Sequence, residues 1–173
     1  MNEKINNFIK TLGDISVEVY NQLGGLNFDE KDFQIALGYE LSKKKIDYLR
    51  ETHIELFYKD VPIKLGAPDF FLNNEKPPVI IEVKLANEIT HAARKQLKMY
   101  LVSIKRNPKS VLKNVNHGIL LNFLKGDKVS MYDEELGKKK QLFEIQVERY
   151  VLEKNENLRL LDKLDLKPVY EIN

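Results

Sequence analysis

The sequence predicts an α+β fold with a three-layer, α/β-like arrangement, in which helices flank a mixed β-sheet. Three observations predict it: helical spacing of apolar residues in the first 45 residues, short apolar runs between residues 53 and 86, and a later helical segment followed by more apolar runs. A chain of 173 residues can bury a sizeable core. We therefore expect one domain over residues 1–173.

Two helices are expected in the N-terminal part of the chain. Apolar residues recur at helical spacing over about residues 5–22, and the Gly-Gly pair at 24–25 ends that helix. Asn27 or Asp29 can cap a second helix, which runs over roughly residues 29–45. Its apolar face comprises Phe33, Ala36, Leu37 and Leu41.

Two β-hairpins are expected next. The segment HIELFYKDVPIKLG holds two strand-like runs around Lys59-Asp60, and NNEKP separates the runs PDFFL and PVIIEVKLA. A helix should follow over residues 88–106, ended by Asn107-Pro108. The remaining segments are predicted as a strand (118–124), its hairpin partner (128–133), a further strand (142–147) and a helix (148–164).

The composition excludes several classes of protein. The chain has no cysteine, which removes disulfides, thiolate nucleophiles and cysteine-ligated metal sites. The N-terminus has no signal-peptide pattern and no apolar run reaches the length of a membrane span, so we expect an intracellular, cytoplasmic protein with no membrane partner. A Gly-rich phosphate loop and a nucleophile elbow are also missing from the sequence.

The second hairpin carries three charges in an apolar context. If its turn is centred between residues 75 and 76, Asp69 lies opposite Glu82, because paired positions in an antiparallel ladder have a constant sum. Alternation along the strand then places Lys84 on the same face as Glu82. A register shift of one residue would separate these groups.

Two neighbouring carboxylates repel each other, and a cation between them removes that cost. Asp69 and Glu82 offer the oxygen ligands that Mg²⁺ or Mn²⁺ prefers, and Lys84 would then lie beside the metal, where it could orient or deprotonate a water or neutralise a phosphate. The alternative is a cross-strand pair between the lysine and a carboxylate at the edge of a sheet.

The motif Pro68-Asp69 followed by Glu82-Val83-Lys84 resembles that of the PD-(D/E)xK nuclease superfamily. The helix after the motif contains QLKMY, which is similar to the Q-xxx-Y element of the RecB-like branch, and the order of segments is similar to that of GxxExxY-type proteins. The resemblance covers a core of residues 24–133. It leaves the first helix (1–23) and a C-terminal extension (134–173) outside.

The resemblance implies a restriction-endonuclease-like sheet and a Mg²⁺- or Mn²⁺-dependent deoxyribonuclease. By resemblance, the metal ligands would be Asp69, Glu82, the Val83 carbonyl and the helix acid Glu30. Lys84 would be the catalytic lysine and Gln96 would orient the site or its water. The spacing from Gly25 departs from the family pattern, so Asp29 is an alternative helix acid, and Phe33 replaces the family's tyrosine.

The charge distribution favours a polyanionic partner. Residues 89–126 contain no Asp or Glu, and a basic helix beside a metal site could follow a phosphate backbone. The alternative is an ordinary solvated helix face. The candidate nucleic-acid contacts on this helix are Arg94, Lys95, Lys98, Tyr100, Lys105 and Arg106.

Two classes of function stay open at this point. The first is a nuclease acting on DNA, or alternatively RNA, with endonuclease and exonuclease activity undecided. The second is a nuclease-like module that binds nucleic acid or a protein partner without cleaving. Junction-resolving members of the family act as dimers, so a homodimer is a further expectation.

Overall fold

A computed structural model describes residues 2–107, 110, 112, 114–125, 131–133, 138–140 and 144–166, with side chains described from residue 7 onward and not within 126–143. Its elements are, in chain order, α1 (Asn2–Leu23), α2 (Glu30–Lys43), β1 (Leu49–Arg50), β2 (Ile54–Tyr58), β3 (Val61–Gly66), β4 (Phe70–Leu72), β5 (Val79–Leu85), α3 (His91–Arg106), β6 (His117–Phe123), β7 (Met131–Asp133), β8 (Lys138–Lys140), β9 (Ile145–Leu152) and β10 (Leu158–Leu166).

A mixed six-stranded sheet in the order β1-β4-β5-β6-β9-β10 forms the centre of the fold. Strands β5 and β6 are parallel, joined by the α3 crossover, and the other neighbouring strands are antiparallel. Strands β2 and β3 form a separate hairpin, as do β7 and β8. The predicted α+β class with a mixed, helix-flanked sheet is confirmed.

The two faces of the sheet carry separate cores. Val79, Ile81 and Val83 of β5 pack in the core that includes α1 and α2, whereas Ile80 packs in the core that includes α3. Alternation along β5 therefore directs Glu82 to the α3 side. Phe33, which stands where the family has a tyrosine, is 1% exposed in the first core.

The helices begin where capping side chains satisfy the first backbone N–H groups. Asp29 caps α2 by accepting from the N–H groups of Lys31 and Asp32, and Asp32 reciprocates. Thr90 caps α3 by accepting from the N–H of Ala93. The third helix therefore starts at His91, three residues later than periodicity predicts. No helix among the described residues is long and apolar enough to cross a membrane.

The predicted C-terminal helix is wrong. Residues 145–152 and 158–166 are strands, and the first of them pairs with β6 over seven residues. This segment is rich in Glu, Lys and Leu, which are good helix formers, but pairing beside β6 overrides that local preference.

The predicted hairpin partner of the 118–124 strand is also wrong. Of the predicted strand 128–133, residues 131–133 pair with β8 rather than with β6, residues 128–130 lie outside the described part of the chain, and β9 occupies the β6 edge instead. The run of three lysines, Lys138–Lys140, forms the strand β8. The predicted strand at 142–147 is found from residue 145 onward, and residues 142–143 lie outside the described part of the chain.

Candidate active site

The β4–β5 hairpin brings the two motif carboxylates together. Its register pairs Leu72 with Val79 and Phe70 with Ile81, which is the predicted register, so the position before Phe70 falls opposite Glu82. The backbone N–H of Asp69 donates to Glu82 Oε1 at 3.1 Å, and the N–H of Val83 donates to Asp69 Oδ2 at 2.8 Å. Each carboxylate is thus fixed by the backbone of the opposite strand.

Lys84 lies beside these two carboxylates, two residues after Glu82 on β5. Its Nζ lies 3.3 Å from Glu82 Oε2 and 3.7 Å from Glu30 Oε1. The other oxygen of Glu30 accepts from the N–H of Leu85 at 3.2 Å, so the first turn of α2 is attached to the end of β5. Asp29, the alternative helix acid, instead caps its own helix.

The pKa values of both carboxyl groups, Asp69 and Glu82, are raised. Burial, followed by the charge of Asp69, raises the pKa of Glu82 to about 8. Burial also raises the pKa of Asp69, although the hydrogen bond from Val83 and the charge of Lys84 oppose the shift. One lysine therefore does not compensate the negative charge that the two carboxylates would carry at neutral pH.

The lysine is held in its charged form. Burial is the largest influence on Lys84 and lowers its pKa, but Glu82, Glu30 and Asp69 together outweigh burial and raise it. An ammonium with a raised pKa donates hydrogen bonds and neutralises charge. It is poorly suited to accept a proton at neutral pH.

The two polar residues of the QLKMY segment contact each other one turn apart on α3. The Gln96 amide donates to the Tyr100 hydroxyl at 3.0 Å, and that hydroxyl lies 3.5 Å from the carbonyl of Ala67. Burial is the largest cause of the raised pKa of Tyr100, and the charge of Glu82 adds to it. Tyr100 therefore connects α3 to the segment that presents Asp69.

The described residues contain no group of three His, Asp or Glu side chains placed to hold a metal ion. Asp69 and Glu82 lie together, but Glu30 contacts Lys84 and Leu85 instead of completing a three-acid cluster. The donor set still suits a hard divalent cation, because it offers carboxyl oxygens and a bound cation would favour the ionised form of Glu82.

Arg94 of the basic helix makes a partly buried ion pair. Its guanidinium donates two hydrogen bonds to Glu148 of β9, at 2.8 and 2.6 Å, and one to the Tyr150 hydroxyl at 2.8 Å. Tyr150 in turn donates to Glu148. Glu148 is 3% exposed, so Arg94 neutralises a buried carboxylate.

The basic helix divides into paired and unpaired cations. Lys105 and Arg106 contact Glu156, which lies in the turn between β9 and β10. Lys95 and Lys98 make no ion pair within 4.0 Å with the described residues. Three of the five cations predicted to contact nucleic acid on this helix, Arg94, Lys105 and Arg106, are therefore already paired with acids of the protein.

Sequence reasoning missed the acids that pair with this helix. Glu148 and Tyr150 lie two residues apart on β9, on one face of the strand. The apolar residues Ile145 and Val147 alternate with polar ones, which is the signal of a strand. The predicted strand ends at residue 147, and interpreting residues 148–164 as a helix hid the pairing of Glu148 with Arg94.

Comparison with known proteins agrees with this geometry. The sequence model of the PD-(D/E)XK nuclease superfamily matches residues 6–133, which include most of α1 and all of the β4–β5 hairpin. No curated protein and no solved structure matches the chain significantly. The match covers well over half of the chain and contains the Asp69–Glu82–Lys84 group, and the chain belongs to the PD-(D/E)XK nuclease superfamily.

Proposed function

We propose that the protein is a divalent-metal-dependent nuclease that hydrolyses phosphodiester bonds in DNA. The observation that carries the proposal is the convergence of Asp69, Glu82 and Lys84 at the end of the β4–β5 hairpin. Family membership supports the chemical class, and the proximity of these three side chains supports their proposed roles.

Mg²⁺ or Mn²⁺ is the proposed cofactor. Asp69 and Glu82 would hold it, because burial and then the charge of Asp69 raise the pKa of Glu82, and a bound cation would favour its ionised form. The Val83 carbonyl is a third candidate ligand. The backbone N–H of Val83 points to Asp69. Because the N–H and C=O groups of one strand residue point to the same side, the Val83 carbonyl also faces the Asp69 side. When bound, such an ion activates water and stabilises charge on the phosphate.

The protein groups around this position have separate roles in the proposal. Lys84, protonated and fixed by two carboxylates, would donate to the attacking water or to a phosphate oxygen as negative charge develops. Gln96 would orient a water through its amide, which Tyr100 holds in place. Glu30 would fix the position of Lys84 and is the candidate helix acid.

Replacing Lys84 with alanine tests the proposal. We expect the wild type to cleave plasmid or linear DNA in Mg²⁺ or Mn²⁺ and not in EDTA, and Lys84→Ala to lower the rate by about 10²–10³-fold through loss of one charge-stabilising donor. Lys44→Ala, an exposed position after α2, is the matched control. Circular dichroism should show that both variants are folded. Equal cleavage by the wild type and Lys84→Ala would refute the assignment.

A nuclease-like binding module is the second candidate function. It is favoured by the position of Glu30, whose carboxylate contacts Lys84 and Leu85 and does not converge with the other two acids. Calorimetric titration with Mn²⁺ separates the two candidates. No detectable metal binding together with salt-dependent affinity for DNA would favour the binding module.

A further inference from the structure

The β2–β3 hairpin presents an unusual amount of apolar surface. The side chains of Val61, Ile63 and Leu65 on β3 are 60%, 54% and 63% exposed, and Tyr58 beside the turn is 64% exposed. Scattered single apolar residues on a surface need no explanation, but four on one short hairpin indicate a surface that contacts something.

The hairpin is held rigidly on α3. Ile54 and Leu56 are buried in the core that includes this helix. The N–H of Phe57 donates to Ser103 Oγ at 3.1 Å, Arg106 donates to the carbonyl of Lys59, and the Asn107 amide donates to Glu55 at 2.9 Å. These contacts fix the hairpin along its length, so its exposed apolar side chains project from a stable support.

The free backbone edge of β3 is poorly suited to pairing with a strand from another protein. Pro62 lacks an N–H group, a register shift between Leu56 and Phe57 interrupts the ladder, and Lys64 adds a charge. Proline, bulges and lysine are the features that prevent edge-to-edge association. Recognition by the side chains is therefore favoured over strand addition.

The exposed apolar side chains lie close to the candidate active site. Strand β3 ends at Gly66, three residues before Asp69, so Leu65 is at most about 14 Å along the chain from that carboxylate. A Cβ at Gly66 would lie 2.9 Å from the ring of Tyr100, which places the base of the hairpin against that residue. A ligand that covers Leu65 therefore lies beside the carboxylate pair.

We propose that the β2–β3 hairpin inserts its apolar side chains between the bases of a nucleic-acid duplex and separates the strands next to the carboxylate pair. This inference rests on the proposed nuclease function, because the substrate must cover the hairpin and the site together. Aliphatic side chains unstack base steps in this way, and Tyr58 supplies a ring for stacking. Lys59, whose Nζ lies 5.6 Å from that ring, and Lys64 can contact phosphates, but Glu55 and Asp60 make the hairpin neutral overall, so recognition rests on the apolar side chains. The substrate class is a duplex opened at an end, fork or junction.

The test measures base unstacking separately from cleavage. A duplex carrying 2-aminopurine is mixed with saturating Lys84→Ala protein in Mg²⁺, with binding followed by anisotropy. We expect 2-aminopurine fluorescence to rise at least 2-fold, and the rise to be lost when Ile63→Ser and Leu65→Ser are added. Ile35→Ser is the matched control and should retain the rise. Ile35 lies on α2 and is 54% exposed, as is Ile63.

A cleavage assay with otherwise wild-type protein supplies the second readout. The Ile63→Ser/Leu65→Ser variant should lose at least 10-fold in rate on duplex DNA relative to single-stranded DNA.

If the wild type cleaves neither substrate but the fluorescence still rises, the nuclease proposal fails and the role of the hairpin stands. A bound duplex without the rise, or an equal rise with the hairpin variant, overturns the inference, and absence of binding overturns both proposals. A dimer that becomes monomeric in the hairpin variant, with fluorescence unchanged, would identify the surface as a contact between two copies of this chain and also overturn the inference.

Discussion

At the scale of single residues, the buried carboxyl of Glu82 links the candidate site to the stability of the fold. Its pKa is about 8 in the folded protein against an ordinary value of 4.5, mainly because of burial and then because of Asp69. Between these two pH values the folded state holds the proton and the unfolded state does not. The contribution of Glu82 to the free energy of unfolding should therefore be greatest below about pH 4.5 and decrease as pH rises through about 8.

Urea unfolding in EDTA at several pH values between about 5 and 8.5 measures this dependence. Glu82→Gln should flatten the decrease and be more stable than the wild type at the upper end, by on the order of a few kcal/mol. Glu18→Gln, at an exposed position of α1, is the control and should keep the wild-type slope. Added Mg²⁺ should stabilise the wild type and not Glu82→Gln. Identical pH slopes for the wild type and Glu82→Gln would contradict the account of Glu82.

The two adjacent acids at the start of α2 should respond differently to substitution. Asp29 caps the helix, so Asp29→Ala should lower the free energy of unfolding by about 1 kcal/mol and Asp29→Ser should restore most of it. Glu30 contacts Lys84, so Glu30→Gln should leave stability nearly unchanged and lower the cleavage rate. Chemical unfolding and cleavage assays on the same samples measure both effects. A greater loss of cleavage in Asp29→Ser than in Glu30→Gln would reverse the assignment.

How far the sequence predicts the site depends on whether its residues are local. Asp69, Glu82 and Lys84 lie on one hairpin, and turn chemistry together with alternation predicts their register, which the structure confirms for the paired residues of β4 and β5. The contact between Glu30 and Lys84 joins segments 54 residues apart, so spacing alone left Asp29 and Glu30 as alternatives. The pairing of Glu148 with Arg94 was missed because residues 148–164 were interpreted as a helix.

At the scale of elements, α3 has two basic positions, adjacent in sequence, with different physical roles. Arg94 pairs with Glu148, which is 3% exposed, so Arg94→Ala would leave a buried carboxylate with the Tyr150 hydroxyl as its remaining side-chain donor and should lower the free energy of unfolding by on the order of 2 kcal/mol. Lys95 is exposed and unpaired among the described residues, so Lys95→Ala should leave stability unchanged. Its effect should appear in DNA binding, where the slope of log affinity against log salt should decrease by about 1.

Chemical unfolding and salt-dependent anisotropy separate the roles of these two residues. The double variant Arg94→Met/Glu148→Leu should be more stable than Arg94→Ala, because no buried charge is left unpaired. If Arg94→Ala unfolds like the wild type and changes only DNA affinity, the contact with Glu148 is not structural and the arginine belongs to the binding surface.

The elements that periodicity predicted correctly are those whose local sequence agrees with their environment. Helices α1, α2 and α3 have apolar stripes, α1 ends before Gly24 and α3 ends before Pro108, and the two hairpins have turn residues between alternating runs. Strand β10 differs, since its sequence LRLLDKLDL has helical character and becomes a strand by pairing with β9. Pairing between distant segments is the part of the fold that local patterns do not contain.

At the scale of the whole molecule, the central sheet depends on strands beyond the family match. The match ends at residue 133, yet β6 is covered on one side by β9, which begins at residue 145. The buried residues of β9 contribute to both cores: Ile145 and Val147 lie in the core with α1 and α2, and Tyr150 and Leu152 lie in the core with α3. The limits of the family match are therefore not those of a stable folding unit.

A chain ending at residue 133 should consequently fail to fold, although it contains every proposed catalytic residue. Without β9, the buried strand β6 would become an exposed apolar edge and Arg94 would lose Glu148. We expect the 1–133 fragment to aggregate or to lack a cooperative unfolding transition, whereas the full chain unfolds cooperatively. Circular dichroism and urea unfolding of the two proteins measure the difference, and a fragment ending at residue 166, which keeps β10, serves as the control. A soluble 1–133 fragment with a cooperative transition would show that β6 needs no partner beyond the family match.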